Sequence, residues 1–410
     1  MFKFFFCFVF LSAIVLKADG QTLFLKGKIT DAASGKPVAG ATVFLSNTSY
    51  GSVTNSYGVF EIKGIKQGKY DLIVSYIGYE TYSEAISMSA SKELSAIAIK
   101  EKTAELKEVI VRNYQKDGWE KWGDFFIENF IGSSALAKQC KLKNAAALKF
   151  SYSKKDHELN VYATEPLQIE NKALGYSIQY QLEDFNYDFE TKYLFFAGYP
   201  LFNEMQGGNA KLKRWAKERA DAYEVSGMRF MRSLYRNQLT EDGYQLLMLE
   251  RIPNTERQRI KAKEKLYYDT VNHTISISGY ESTLGKDSLD HYKKIIAQRD
   301  PIEIIHPGLL TGNDIAYGID TITAVLDFKQ CLIVRFPKRN IPPEYASSFK
   351  DGSVKQPVSS VIYLVNKVPV YVTSNGYYYN AQDLVLEGFW GWWEKMANML
   401  PYDYMPPADN

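Results

Sequence analysis

Gly27-Lys28-Ile29-Thr30-Asp31-Ala32-Ala33-Ser34-Gly35-Lys36-Pro37-Val38-Ala39-Gly40-Ala41-Thr42-Val43 is the stretch whose reading decides the fold of the N-terminal part. Ile29 shares one face with Leu23, Leu25 and Gly27, while Lys26, Lys28 and Thr30 take the other, the period of two that buries one side of a strand. Asp31 to Pro37 then turns the chain, with Ser, Gly and Pro in their punctuating roles. Val43 and Leu45 resume the core in a second strand. Phe60 and Ile62 form a third, and Leu72, Val74 and Tyr76 alternate with Asp71, Ile73 and Ser75 in a fourth. Short strands at this spacing read as an all-β sandwich over residues 21–100.

Working outward, the first twenty residues read as a signal peptide: Lys3 gives a positive start, Phe4 to Leu16 an apolar run, and Ala18 and Gly20 the small residues before cleavage at Gln21. Cys7 lies inside the apolar run, so no lipid anchor is expected. No later stretch reaches the uninterrupted apolar length of a membrane helix, and the mature chain is expected to have none. The mature charge is near neutral, which gives no field for nucleic acid. Two cysteines, Cys140 and Cys331, survive processing; the exported compartment would permit a bridge between them.

Four blocks in the sandwich occur in order over about eighty residues: Gly27 to Asp31, Gly35 to Val43, Thr54-Asn55-Ser56-Tyr57-Gly58-Val59-Phe60 and Val74-Ser75-Tyr76-Ile77-Gly78-Tyr79. They resemble the carboxypeptidase-regulatory-like domain found at the N-termini of many TonB-dependent receptors and other Gram-negative envelope proteins. The resemblance implies a seven-stranded, transthyretin-like (prealbumin-like) sandwich with an accessory role. It does not imply peptidase activity. None of His157, His273, His291 or His306 has a Glu or His three or four positions on, so the ligand spacing of a zinc peptidase is missing.

Residues 101–117 read as a charged linker. Within it Leu106-Lys107-Glu108-Val109-Ile110-Val111 resembles the segment that follows the same sandwich in TonB-dependent receptors, where a partner captures a strand; a plain extended linker is the alternative reading. Residues 118–410 read as a larger β-rich domain with helices, so the whole chain is expected to be mainly β with added helices, an α+β protein. A helix opens near Trp119 with Trp122, Phe125, Phe126 and Phe130, and strands fill 148–200, the clearest being Tyr176 to Leu182. Leu212 to Tyr223 reads as a helix ended by Gly227, and Met231 to Tyr235 as a second. Hairpins are expected at 321–336 and at 361–372, and an amphipathic helix from Phe389 to Leu400 stopped by Pro401.

Three patterns in this part are candidates for binding. Glu183, Asp184, Asp188 and Glu190 form an acidic cluster that could serve sugar chemistry or calcium, or simply a solvated strand end. Trp390, Trp392 and Trp393 could stack on a sugar or fill a core. Arg229, Arg232, Arg236, Arg257, Arg259, Lys261, Lys263 and Lys265 form the most basic region, suited to lipopolysaccharide phosphates, anionic lipid or an acidic protein face, or to ordinary solvated helix faces. Glycine-rich phosphate loops, G-x-S-x-G elbows and Cys-x-x-Cys pairs are missing, so no catalytic, metal or cofactor residues are assigned.

Three further blocks, Trp122 to Gly132, Ile169 to Tyr176 and Leu400-Pro401-Tyr402-Asp403-Tyr404, resemble a group of uncharacterised envelope proteins with the same two-part layout. The expectation is an exported, non-enzymatic protein of the periplasm or outer membrane that contacts another envelope protein or a glycan. Carbohydrate binding or hydrolysis is the alternative.

Overall fold

A computed structural model describes residues 22–102, 114–261, 294–320, 322–349 and 352–407. The signal segment, Leu106 to Val111, Lys263, Lys265, His273 and His291 lie outside the described residues.

The sandwich is built from β1 (Leu23–Asp31), β2 (Thr42–Leu45), β3 (Gly51–Val53), β4 (Val59–Ile65), β5 (Gly68–Ser75), β6 (Tyr82–Met88), β7 (Lys92–Glu93) and β8 (Ile97–Ile99). One sheet runs β4-β1-β7 with β8 also on β1, and the other runs β3-β2-β5-β6. β7 and β8 both lie parallel to β1 at nearly the same offset, so they form one interrupted strand and give the seven-stranded count. Leu25, Ile29, Val43, Leu45, Phe60, Leu72 and Val74 are buried in a core of their own. Each such side chain contributes about 1.5–3 kcal/mol.

The rest of the chain gathers around a second core, which links residues from Phe126 to Leu400. Helix α1 (Gly118–Phe130) lays Phe126 and Phe130 against a sheet of β9 (Cys140–Leu142), β10 (Leu148–Ser153), β11 (Glu158–Ala163), β12 (Leu167–Asn171), β13 (Tyr176–Asp188) and β14 (Tyr193–Glu204). β11 and β12 pair with β13, as does β14 along twelve register positions. Helices α2 (Asn209–Glu224) and α3 (Gly227–Tyr235) follow. Gly227 opens α3 rather than closing α2, because Ser226 caps α3 by accepting from the Arg229 amide at 3.2 Å.

Two further sheets complete the fold. β15 (Gln245–Ile252), β16 (Ile302–Leu310), β19 (Cys331–Asn340), β20 (Pro357–Leu364) and β23 (Leu384–Gly388) form one. β17 (Ala316–Gly318), β18 (Thr323–Leu326), β21 (Val370–Thr373) and β22 (Tyr378–Tyr379) form the other. Short helices α4 (Pro343–Ala346) and α5 (Phe389–Trp393) flank them.

This layering overturns three local expectations. β18 pairs with β21 and β19 with β20, so neither 321–336 nor 361–372 is a hairpin: each connection crosses from one sheet to the other. Asn366 and Lys367, both at positive φ, make the second crossing. The helix from Phe389 stops at Trp393 rather than at Leu400. The Met396 and Ala397 amides donate instead to the carbonyls of Phe130 and Ile131, both at 3.0 Å, which pulls the chain out of the helix at Glu394.

The block Ile169 to Tyr176 is the socket for α2. Asn171, fully buried, donates to the Ala397 carbonyl at 2.9 Å and accepts from the Leu174 amide at 3.0 Å. Trp215 of α2 donates to the Lys172 carbonyl at 2.9 Å, and the Arg219 guanidinium lies 4.0 Å over the Tyr176 ring. Gly175 has φ +72, and a Cβ there would sit 2.3 Å from the Trp215 ring. Gly175→Ala should therefore cost about 2–4 kcal/mol, from the left-handed backbone and from overpacking together. Urea unfolding checks this as a lowered midpoint at unchanged slope.

Candidate functional site

The seam between the sandwich and the rest of the chain is built from apolar residues on the outer faces of sandwich strands. Phe44 and Ile73 point away from the sandwich core, yet they are 3% and 0% exposed because Leu201 of β14 covers them. Around this patch the backbones join directly. The Asn47 amide donates to the Pro200 carbonyl at 2.8 Å, the Phe202 amide to Thr48 at 3.0 Å, and the Tyr402 amide to Asn47 at 2.7 Å. Asp403 accepts from the Ser49 amide at 2.8 Å and from its hydroxyl. Ser75 donates to Gln181 at 3.1 Å and Lys69 to Thr323 at 2.9 Å. The block Leu400 to Tyr404 is thus a docking segment for the sandwich.

Beside the seam opens a cleft of about 830 Å³, within the ~300–1,000 Å³ range of ligand sites. The sandwich contributes Asn47 and Asp71, the β13–β14 hairpin Glu183 and Tyr199, and the C-terminal part Tyr377, Tyr378, Tyr379, Glu394, Lys395 and Tyr402. Tyr377 donates its hydroxyl to Asp71. Burial raises the Asp71 carboxyl above its ordinary range, and Tyr377 opposes the shift. Glu183 is exposed, and only partial desolvation against the cleft wall raises its carboxyl, against the pull of Thr81, Gln181 and Lys102.

Glu394 and Lys395 sit side by side in the cleft because the chain leaves its helix there. Glu394 accepts from the Gly227 amide at 2.8 Å, at the start of α3 where the helix dipole favours a carboxylate. Burial nevertheless pushes Glu394 up to about 7. Burial pushes Lys395 down to about 8, with the Glu394 charge opposing that shift. The Lys395 ammonium has no ion pair or hydrogen bond among the described residues; it lies 5.6 Å from the Phe196 ring.

For Glu394 the folded value lies above the unfolded one, so its relative stabilisation is complete below about pH 4.5 and is lost as pH rises through about 7. Glu394→Gln should consequently be more stable than wild type above pH 7, by roughly 2 kcal/mol after allowance for the open cleft. The difference should vanish near pH 4.5. Thermal melts of both proteins between pH 4.5 and 8.5 check it.

The acidic cluster does not converge. Glu183 reaches the cleft, whereas Asp188 closes the β13–β14 turn by accepting from the amides of Glu190 at 2.7 Å and Thr191 at 3.2 Å. The Thr191 hydroxyl, first among the causes, holds the Asp188 carboxyl below its usual range. Asp184 and Glu190 are exposed. Trp390 and Trp393 are core residues, and Trp390, which also lines the cleft, donates to the Val225 carbonyl at 2.9 Å. Trp392 is half-buried and donates to the Ser133 hydroxyl at 2.9 Å.

The arginines of α3 are engaged within the protein. Arg229 stacks over Phe336 at 4.8 Å, Arg232 is buried, and Arg236 pairs with Asp242 at 3.0 Å. Arg257 pairs with Asp300 at 3.8 Å and Arg259 with Glu256 at 2.6 Å. His157 occupies a left-handed turn position and His306 contacts Glu250 at 3.2 Å. Cys140 and Cys331 are free thiols. Among the described residues no group of three or more His, Cys, Asp or Glu side chains is placed to hold a metal ion, and no helix is long and apolar enough to cross a membrane.

Sequence reading missed Glu394, Lys395 and the run Tyr377-Tyr378-Tyr379. The signal was present in part: three consecutive tyrosines after a turn cannot all enter one core, because strand side chains alternate.

Residues 25–111 match the model of the CarboxypepD_reg-like domain, a regulatory and non-catalytic domain. Comparison with curated proteins gives no match. Among solved structures, a type II cohesin–X-dockerin complex from Acetivibrio cellulolyticus is similar at 32% identity and TM-score 0.17, over 19% of this chain and 56% of that one. This chain therefore spans a little over half of that protein's length. A DUF3823 family protein from Parabacteroides merdae is similar at 10% identity and TM-score 0.16, over 48% and 87% of the two chains. A putative membrane-associated protein of unknown function from Bacteroides fragilis is similar at 11% identity and TM-score 0.16, over 86% and 93%.

Proposed function

We propose that this is an exported, non-enzymatic protein of the cell envelope that holds another envelope component in the cleft beside its accessory sandwich. The observation that carries the reading is the composite wall: Asp71 of the sandwich and Tyr377 of the C-terminal part are hydrogen-bonded to each other at the cleft. A sandwich that only tethered the protein would need no such fit. Export rests on the positive, apolar and small-residue segments of the first twenty residues. N-terminal sequencing should find Gln21 first, and retention of Met1 would remove the export argument.

The carboxylates support holding over hydrolysis. A glycosidase pair works at separations of about 5–10 Å, where each charge perturbs the other. Asp71, Glu183 and Glu394 are instead each raised chiefly by desolvation, against hydrogen bonds from Tyr377, from Thr81 and Gln181, and from the Gly227 amide respectively. Affinity capture from solubilised envelopes, with wild type and Ile73→Asp as paired baits, tests the reading. The component should come down with wild type and be lost with the undocked variant. Equal recovery by both baits would take the seam out of the function, and glycan hydrolysis abolished by Asp71→Asn would replace binding with catalysis.

A further inference from the structure

The cleft contains more hydrogen-bonding capacity than the protein uses. Among the described residues the hydroxyls of Tyr199, Tyr363, Tyr378, Tyr379 and Tyr402 make no hydrogen bond, although all five side chains line the cleft. Lys395 likewise has no oxygen partner, and Glu394 spends one oxygen on the Gly227 amide. A ligand that displaces solvent from these half-buried groups must replace its hydrogen bonds, bringing both donors and acceptors. Neighbouring sugar hydroxyls do so: one accepts from an ammonium while the next donates to a carboxylate. Tyrosine adds flat rings whose apolar faces suit the C–H face of a pyranose.

Charge then separates the classes of sugar. Against Lys192 and Lys395 stand Asp71, Glu183, Glu387 and Glu394, so carboxylates outnumber cations on the wall. An acidic glycan would meet like charge in a partly dehydrated space, which is costly. Lys192 and Lys395 line the cleft without a guanidinium fork beside them, and lysines alone read phosphate only as point charges. A peptide added as a strand needs an open sheet edge, whereas this wall presents side-chain hydroxyls.

Resting on the binding reading above, we propose that the seam cleft takes a neutral oligosaccharide, with adjacent hydroxyls of one sugar shared between Lys395 and Glu394 and the remaining units ranged along the tyrosines. Its volume of about 830 Å³ suits several sugar units rather than one.

The test is calorimetric titration of the full mature protein with cello-, xylo-, manno-, malto- and chito-tetraose, alongside trigalacturonate and an acidic peptide. At least one neutral tetraose should bind. Lys395→Met should weaken it about 10- to 100-fold, as expected for a lost hydrogen bond to a charged group, and Tyr379→Phe about 3- to 10-fold. Melting curves establish that each variant is folded, and Tyr379→Phe alone decides the matter if Lys395→Met is not. Binding of none of the neutral sugars, tighter binding of trigalacturonate or the peptide, or indifference to the variants would overturn the inference. A seam-dependent protein captured from envelopes with no sugar binding would sink the sugar and leave the broader reading standing; failure of both would sink both.

Discussion

Replacing Ile73 with aspartate is expected to free the sandwich from the rest of the chain without unfolding either part. Ile73 is fully buried against Leu201, but it lies on the outer face of β5, away from the sandwich core. The substitution removes an apolar contact and places a carboxylate among Phe44, Leu201 and Tyr199. Together these cost about 4 kcal/mol, charged to the seam rather than to either core. Calorimetry should resolve two unfolding transitions where wild type shows one. An unchanged single transition would mean that the backbone bonds through Asn47, Thr48 and Tyr402 hold the seam by themselves. The same logic bears on the division at residues 101–117, which we propose as the boundary: the sandwich has its own core and should fold alone as residues 21–105, with Phe44 and Ile73 newly exposed.

Arg232→Met is the second large effect. Arg232 is 4% exposed, and its guanidinium donates to the Asn375 carbonyl at 2.7 Å and the Tyr402 carbonyl at 3.0 Å, over the ring of Tyr223 at 5.2 Å. It thereby ties α3 to the turn before the three tyrosines and to the docking segment. Methionine fills the space but leaves two carbonyls unpaired, at a cost of about 3 kcal/mol. Arg232→Lys should recover only part, since an ammonium cannot span both acceptors as the planar fork does. A lower urea midpoint, with the lysine variant between the other two, checks it.

The sandwich was legible because its signals are local. The alternation in β1, the Asp31 to Pro37 turn and the Val43–Leu45 strand depend on neighbours within a few residues. Helices α1, α2 and α3 were legible for the same reason, through Phe126, Trp215 and Leu234 at helical spacing. The two expected hairpins failed because pairing of β18 with β21 and β19 with β20 is decided by how two sheets stack, which the intervening residues do not encode. The helix after Phe389 was overestimated because Met396 and Ala397 find better acceptors on α1, far away in sequence. The cleft follows from that same non-local event, since it is the early helix exit that puts Glu394 and Lys395 on its wall. Phe44 and Ile73 were visible as apolar residues on the wrong face of their strands, a sign of a covering surface but not of its identity.

The most direct test of a docked sandwich forming one wall of the cleft is amide hydrogen exchange at the three bonds that cross the seam. The amides of Asn47, Phe202 and Tyr402 donate to Pro200, Thr48 and Asn47 respectively. All three should exchange slowly in wild type and at loop rates in Ile73→Asp, while the Val74 amide in the sandwich stays protected in both. Fast exchange at Asn47 and Tyr402 in wild type, with Val74 still protected, would show an open seam and contradict the composite site.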